Sequence, residues 1–126
     1  MSDNTKYATI PGFENMTAQQ VFDMSASHLL KQMGRSQSDS EACLYRGPNG
    51  LKCAAGVFLT DEGAEAADNS CENTWGGVVA RRIAPPENES LIESLQNIHD
   101  YRRIDTWREQ LKLLAECEGL DDSVCR

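Results

Sequence analysis

Cys53, His99 and Asp100 are the residues of this chain whose types match a cysteine hydrolase. A thiol placed where a helix begins has its thiolate stabilised by free backbone N–H groups and by the helix dipole. A histidine elsewhere in the chain then takes the proton, and an acid orients the ring. Cys53 precedes the small-residue run Ala54-Ala55-Gly56, and His99 falls near the end of an expected helix. Two features weaken this reading. A helix after Cys53 would be short and contain Gly56, and Asp100 is expected to point away from His99, because sequence neighbours do not share a helical face. The plain alternative makes Cys53 a buried core thiol and His99 a structural residue bonding nearby carbonyls. The sequence therefore favours no catalytic residue.

Cys43, Cys53, Cys71, His28 and His99 could supply zinc ligands, but a structural zinc site pairs its ligands two to four residues apart and none of these pairs is that close. The acidic stretch Asp61, Glu62, Glu65, Asp68 and Glu72 lacks the alternating spacing of a calcium loop. No metal and no cofactor are expected.

The third group is basic. Arg81-Arg82 and Arg102-Arg103 flank one expected helix, and Tyr45, Arg46 and Lys52 sit around a turn, with Arg108 beyond. If they converge, these residues form a partner-binding surface or hold a small anionic ligand or nucleotide, with backbone N–H groups of the turn at 47–50 beside them. That turn lacks the Gly-Lys-Ser/Thr of a phosphate loop, and arginines pair readily with surface carboxylates.

The elements that must position these groups follow from periodicity and punctuation. The 126 residues suit one domain, 17–120, with a loosely held arm at 1–16 whose end Ile10 and Phe13 can pin to the body, and a frayed tail at 121–126 that leaves Cys125 exposed. Thr17-Ala18-Gln19-Gln20 has the form of a capping box opening a helix over 18–33, with Phe22, Ala26, Leu29, Leu30 and Met33 on its buried face and Gly34 closing it. His28 lies at the edge of that stripe. The turn Gly47-Pro48-Asn49-Gly50 predicts a short β-hairpin with arms at 42–46 and 51–53. The acidic stretch over 60–72 reads as an exposed loop with one helical turn near 63–67. Asn73 caps a helix over 74–83, which Pro85-Pro86 ends. Further helices are predicted over Glu89–Tyr101, with Leu91, Ile92, Leu95 and Ile98 inward, and over 106–118, with Asp105 as cap, Trp107, Leu111, Leu114 and Cys117 inward and Gly119 as stop. The expected fold is α+β, a helix-dominated single domain with about four helices around one short β-hairpin.

Composition bounds the partners. Hydrophobic residues make up 40% and charged residues 25%, and no apolar run approaches the roughly 20 residues that span a bilayer. Net charge is −8, which repels nucleic-acid backbones, so direct nucleic-acid binding is not expected. Without the basic start and apolar stretch of a secretory signal, the chain is expected in the cytoplasm, its five cysteines reduced.

Three segments also resemble a family as a set. Cys43-x-Tyr45-Arg46-Gly47-x-x-Gly50-Leu51-Lys52-Cys53-Ala54-x-Gly56 resembles a motif of small uncharacterised proteins common in tailed phages and prophages. Leu95-Gln96-x-Ile98-His99-Asp100, and Trp107 with the short helix after it, are similar to the downstream part of the same proteins. The resemblance spans roughly residues 17–120 and implies a phage or mobile-element origin, with no activity and no functional residue to carry over. Thr60 stands where those proteins often have proline, and 63–67 lacks their usual aromatic. The expectation for function is a non-enzymatic accessory protein that binds a host protein. The alternatives are a thiol-dependent hydrolase using Cys53 and His99 and an anion or nucleotide binder on the arginines.

Overall fold

The apolar periodicity of the two longest segments builds the centre of the molecule. In a computed structural model that describes residues 7–37, 44–70 and 74–126, α1 (Ala18–Gln32) and α4 (Glu89–Tyr101) pack on each other. Flanking them are α3 (Trp75–Ala80) against α4 and α5 (Trp107–Glu118) against both α1 and α4, while α2 (Asp61–Asn69) packs on the backbone of Ala8 and holds the Tyr45–Arg46 segment through Asp68. The capping box forms as expected: Thr17 Oγ1 accepts the Gln20 N–H at 3.1 Å, and Gln20 Oε1 accepts the Thr17 N–H at 2.9 Å. The α1 stripe buries Val21, Phe22, Ser25, Ala26 and Leu29. Met33, expected on that face, takes the left-handed cap position meant for Gly34 and is 45% exposed. The α4 stripe is buried as expected, and Gln96 and His99 are buried beside it.

No β-strand forms among the described residues, so the fold is all-α and the expected α+β class is corrected. The turn exists, with Gly47 N–H bonded to the Leu51 carbonyl at 2.8 Å and a single bridge between Arg46 and Lys52. The ladder stops there because side chains from elsewhere bond the arms. Gln32 bonds both the N–H and the carbonyl of Lys52, at 3.0 and 2.8 Å, and Nε2–H of half-buried His28 also donates to that carbonyl at 3.0 Å. The Asp68 carboxylate accepts the N–H groups of Tyr45 and Arg46 at 2.9 and 3.2 Å. The distal part of the first predicted arm, 42–43, lies outside the described residues.

Four further expectations change. The predicted loop over 60–72 holds the nine-residue helix α2, capped by Thr60 and buried through Gly63, Ala64 and Ala67. Gly63 is where the chain touches the backbone of Ala8. The arm is tied to the body from residue 8 onward, with Ala8 N–H on the Ile83 carbonyl and Ile10 N–H on that of Phe58. Phe13 is wholly buried, 5.3 Å from the Phe58 ring and 6.1 Å from that of Trp75. The C-terminal tail folds back as well. Cys125 is fully buried rather than exposed, the Arg108 guanidinium donates to its carbonyl at 2.5 Å, and Gln19 bonds the backbone of Asp121 in both directions. On α5, Ala115 replaces Cys117 on the inner face, and Cys117 is exposed.

The helix ends otherwise obey local chemistry. Thr74 caps α3 by accepting the Gly77 N–H at 3.0 Å, the expected cap Asn73 lying outside the described residues, and α3 stops three residues short of Ile83 as Arg82 turns left-handed. A short 3-10 turn, Ile104–Thr106, leads into α5 in place of the Asp105 cap. Gly119 closes α5 at φ 69° with Leu120 N–H on the Ala115 carbonyl at 2.8 Å, the glycine stop read from the sequence. Among the described residues no helix is long and apolar enough to cross a membrane.

Candidate functional site

His99 is the hub of a buried polar network that joins three parts of the chain. Its ring is fully buried and stacks on Trp107, with centroids 5.8 Å apart. The Ser36 N–H donates to Nε2 at 3.0 Å, so Nε2 carries no proton, and Nδ1–H donates to Asp100 Oδ1 at 2.7 Å. Asp100 was expected to point away from His99. It meets the ring because a short side chain in the last turn of α4 folds back onto its neighbour while Ser36 and Trp107 fix the imidazole plane. Gln96 Nε2–H donates to the same Oδ1 at 2.8 Å, and Gln96 Oε1 accepts the Ala55 N–H at 2.9 Å. The Arg35 guanidinium closes the end of α4 on the carbonyls of His99 and Arg102.

This network removes the chemistry a Cys53–His99 pair would need. Both ring nitrogens are engaged, so neither accepts a proton from Cys53. The thiol is itself buried, and that burial pushes its pKa up to about 12. At pH 8 Cys53 therefore stays in its unreactive thiol form. The expected result is that iodoacetamide at pH 8 modifies exposed Cys117 at least about a hundredfold faster than Cys53, read by peptide mass mapping of the native protein. Comparable rates at the two positions would restore Cys53 as a reactive group. Among the described residues no group of three or more His, Cys, Asp and Glu is placed to hold a metal, and Cys43 and Cys71 lie outside them.

The residues expected to meet a partner divide. Tyr45 is 3% exposed and belongs to the core, not to a surface. Arg46 is an internal clamp whose guanidinium donates to the carbonyls of Gly56 and Leu59 at 2.7 and 2.8 Å and to Asp61 at 3.0 Å. Lys52 has its backbone tied to α1, as described. Arg81, Arg82, Arg102 and Arg103 are on the surface, with Arg103 paired to Asp105 at 2.6 Å and Arg108 engaged with the C-terminus.

A different set of residues lines a cleft of about 300 Å³ beside α4: Thr74 and Trp75 from the start of α3, and Glu93, Gln96, Asn97, Asp100 and Tyr101 from α4. The α4 residues follow helical spacing, which aligns them on one face next to the buried stripe. Among the described residues no basic side chain lines the cleft. Asp100, its side chain 10% exposed, is held from behind by His99 and Gln96 through Oδ1, while Oδ2 has no protein partner among the described residues. Glu93 Oε2 accepts the Gly76 N–H at 2.9 Å, which anchors it at the opposite end. Tyr101 is 77% exposed. Trp75 is fully buried, and its indole N–H has no hydrogen-bond partner among the described residues. A buried donor left unmade costs about 1–3 kcal/mol.

No protein-family model, curated protein or solved structure matches this chain.

Of this face, only Asp100 is among the residues the sequence singles out. Its polar spacing at 93, 96, 97, 100 and 101 is a legible signal, since it repeats at helical intervals without a single basic residue. The arrival of Trp75 beside it is not legible, because that contact joins two helices.

Proposed function

We propose that this protein is a non-enzymatic accessory protein that works by binding another protein, and that the acid-lined face of α4 is where it does so. What supports the reading is the cleft: two carboxylates held in place by hydrogen bonds and an exposed tyrosine lie together on one side of α4. The engaged nitrogens of His99 take the general base away from the hydrolase alternative. Two carboxylates in the cleft oppose an anionic ligand there. The phage or prophage origin implied by the sequence resemblance makes the partner a host protein, and the compartment this reading requires is the cytoplasm.

The test is positional. A photo-crosslinking phenylalanine derivative at Tyr101 is expected to yield one discrete adduct in host lysate at physiological salt, and the same derivative at Asn97 the same adduct. At Glu65, on the exposed side of α2, it is expected to yield none. Equal capture at Glu65, or none at Tyr101 and Asn97, would overturn the proposal.

A further inference from the structure

We infer that the chain's two histidines form an acid-sensitive latch on the turn segment 44–52, which holds while both rings are neutral and loosens at each end as they gain a proton.

The rings lie on different helices and hold opposite ends of this one segment. His28, on α1, donates Nε2–H to the Lys52 carbonyl at 3.0 Å, beside the two bonds from Gln32. His99, on α4, accepts the Ser36 N–H on Nε2 at 3.0 Å. Ser36 passes that hold to the other end of the segment. Its carbonyl accepts the Leu44 N–H at 2.9 Å, and its hydroxyl donates to the Leu44 carbonyl at 2.6 Å. Each ring is thus bonded as a neutral tautomer, with the proton on Nε2 in His28 and on Nδ1 in His99.

A second proton acts differently at the two ends. On His99 it has to sit on Nε2, where it faces the Ser36 N–H, so the charged ring and that bond exclude each other. Facing this ring are Asp100 from its own helix, whose charge attracts the proton, and Arg35 and His28 from outside it, whose charges repel it. On His28 the bond to Lys52 survives protonation. The charge is then set in a half-buried position near Lys52, Arg46 and His99, all of them basic. Burial, the largest of these effects, holds the His28 pKa below the usual histidine range. When that end opens, the imidazole returns to the ordinary value of about 6.5. The open form therefore takes the proton first, and acidification through about pH 6.5 and below favours opening. Asp68 and the Arg46 clamp still hold the middle of the segment, so the ends loosen and the core stays.

Amide hydrogen exchange of the full-length ¹⁵N-labelled protein, corrected for the intrinsic pH dependence of exchange, reads the two ends separately. The range from about pH 7.5 to about pH 5.5 stays above ordinary carboxylate titration. Over it, protection of the Leu44 and Lys52 amides is expected to fall by about tenfold each, within the limit of about tenfold per pH unit that one proton sets. Phe22 in α1 and Leu111 in α5 are expected to change by less than about twofold. His28→Gln keeps an N–H donor for the Lys52 carbonyl and cannot titrate. In that variant Lys52 is expected to keep its protection, while Leu44, held through His99, loses it as in the unsubstituted protein. Constant protection at either end, an equal fall at Phe22 and Leu111, or an undiminished fall at Lys52 in His28→Gln would each overturn the latch.

Discussion

Replacing His99 by phenylalanine is expected to destabilise the protein by about 3 kcal/mol. The ring keeps its volume and its stacking on Trp107, so the change isolates the hydrogen bonds. It strands the Ser36 N–H, which is buried with its residue, and it leaves Asp100 with only Gln96 to answer a carboxylate that is nine-tenths buried. In urea the midpoint is expected to fall with the slope unchanged, because the surface exposed on unfolding is the same. The double variant His99→Phe with Asp100→Leu is expected to recover about 1 kcal/mol or more, since removing both partners also removes the stranded charge. If the single variant loses less than about 1 kcal/mol, or the double loses the sum of the two singles, the network is not the coupled unit described above.

The second large effect is expected at Gly56. An added Cβ there would stand 2.5 Å from the Tyr45 carbonyl oxygen and 3.2 Å from the Arg46 guanidinium. The first of these is backbone held by Asp68, so the clash cannot be relieved by a side-chain rotation. Gly56→Ala is expected to cost about 3 kcal/mol, at the upper end for overpacking. Gly50→Ala is the contrast: its Cβ would meet nothing within 4 Å, and its cost is the strain of a side chain at φ 77°, about 1 kcal/mol. Thermal midpoints of the two variants decide the matter. A Gly56→Ala protein no less stable than Gly50→Ala would mean the Tyr45–Gly56 approach is not tight.

Gly56 also explains how much of the opening motif was readable. The small residues after Cys53 announced a close packing contact, and such a contact exists, with Cys53, Ala54, Ala55 and Gly56 all buried. The sequence placed the contact without naming its partner. It suggested a hairpin because the turn chemistry at 47–50 is local, but a strand ladder needs free backbone groups opposite one another. Here Gln32 and Asp68 bond those groups first, from about 20 residues away on either side. Tyr45 and Arg46 were read as surface residues for the same reason, since what buries the one and clamps the other arrives from outside the motif.

The helices divide in a similar way. Those of α1 and α4 were legible because large apolar residues recur at helical intervals and leave one face with nowhere else to go. Helix α2 was not, because its buried face is made of alanine and glycine, which carry little hydrophobic signal although alanine is the best helix former. Polarity hides how firmly both termini are held, beyond the pin that Ile10 and Phe13 offer in the sequence. Phe13 and Cys125 anchor them, and a single buried side chain outweighs several polar neighbours.

By itself, then, the sequence determined the capping box of α1, the turn, the two long amphipathic helices, the glycine stop at Gly119 and the acidic balance, all of which depend on residues within a few positions of each other. Only the tertiary structure decided that Cys53 is sealed away, that both nitrogens of His99 are taken, and that the polar side of α4 opens into a cleft beside Trp75. Those outcomes depend on which distant backbone group or ring reaches a side chain first, and that competition is settled by packing across the whole core.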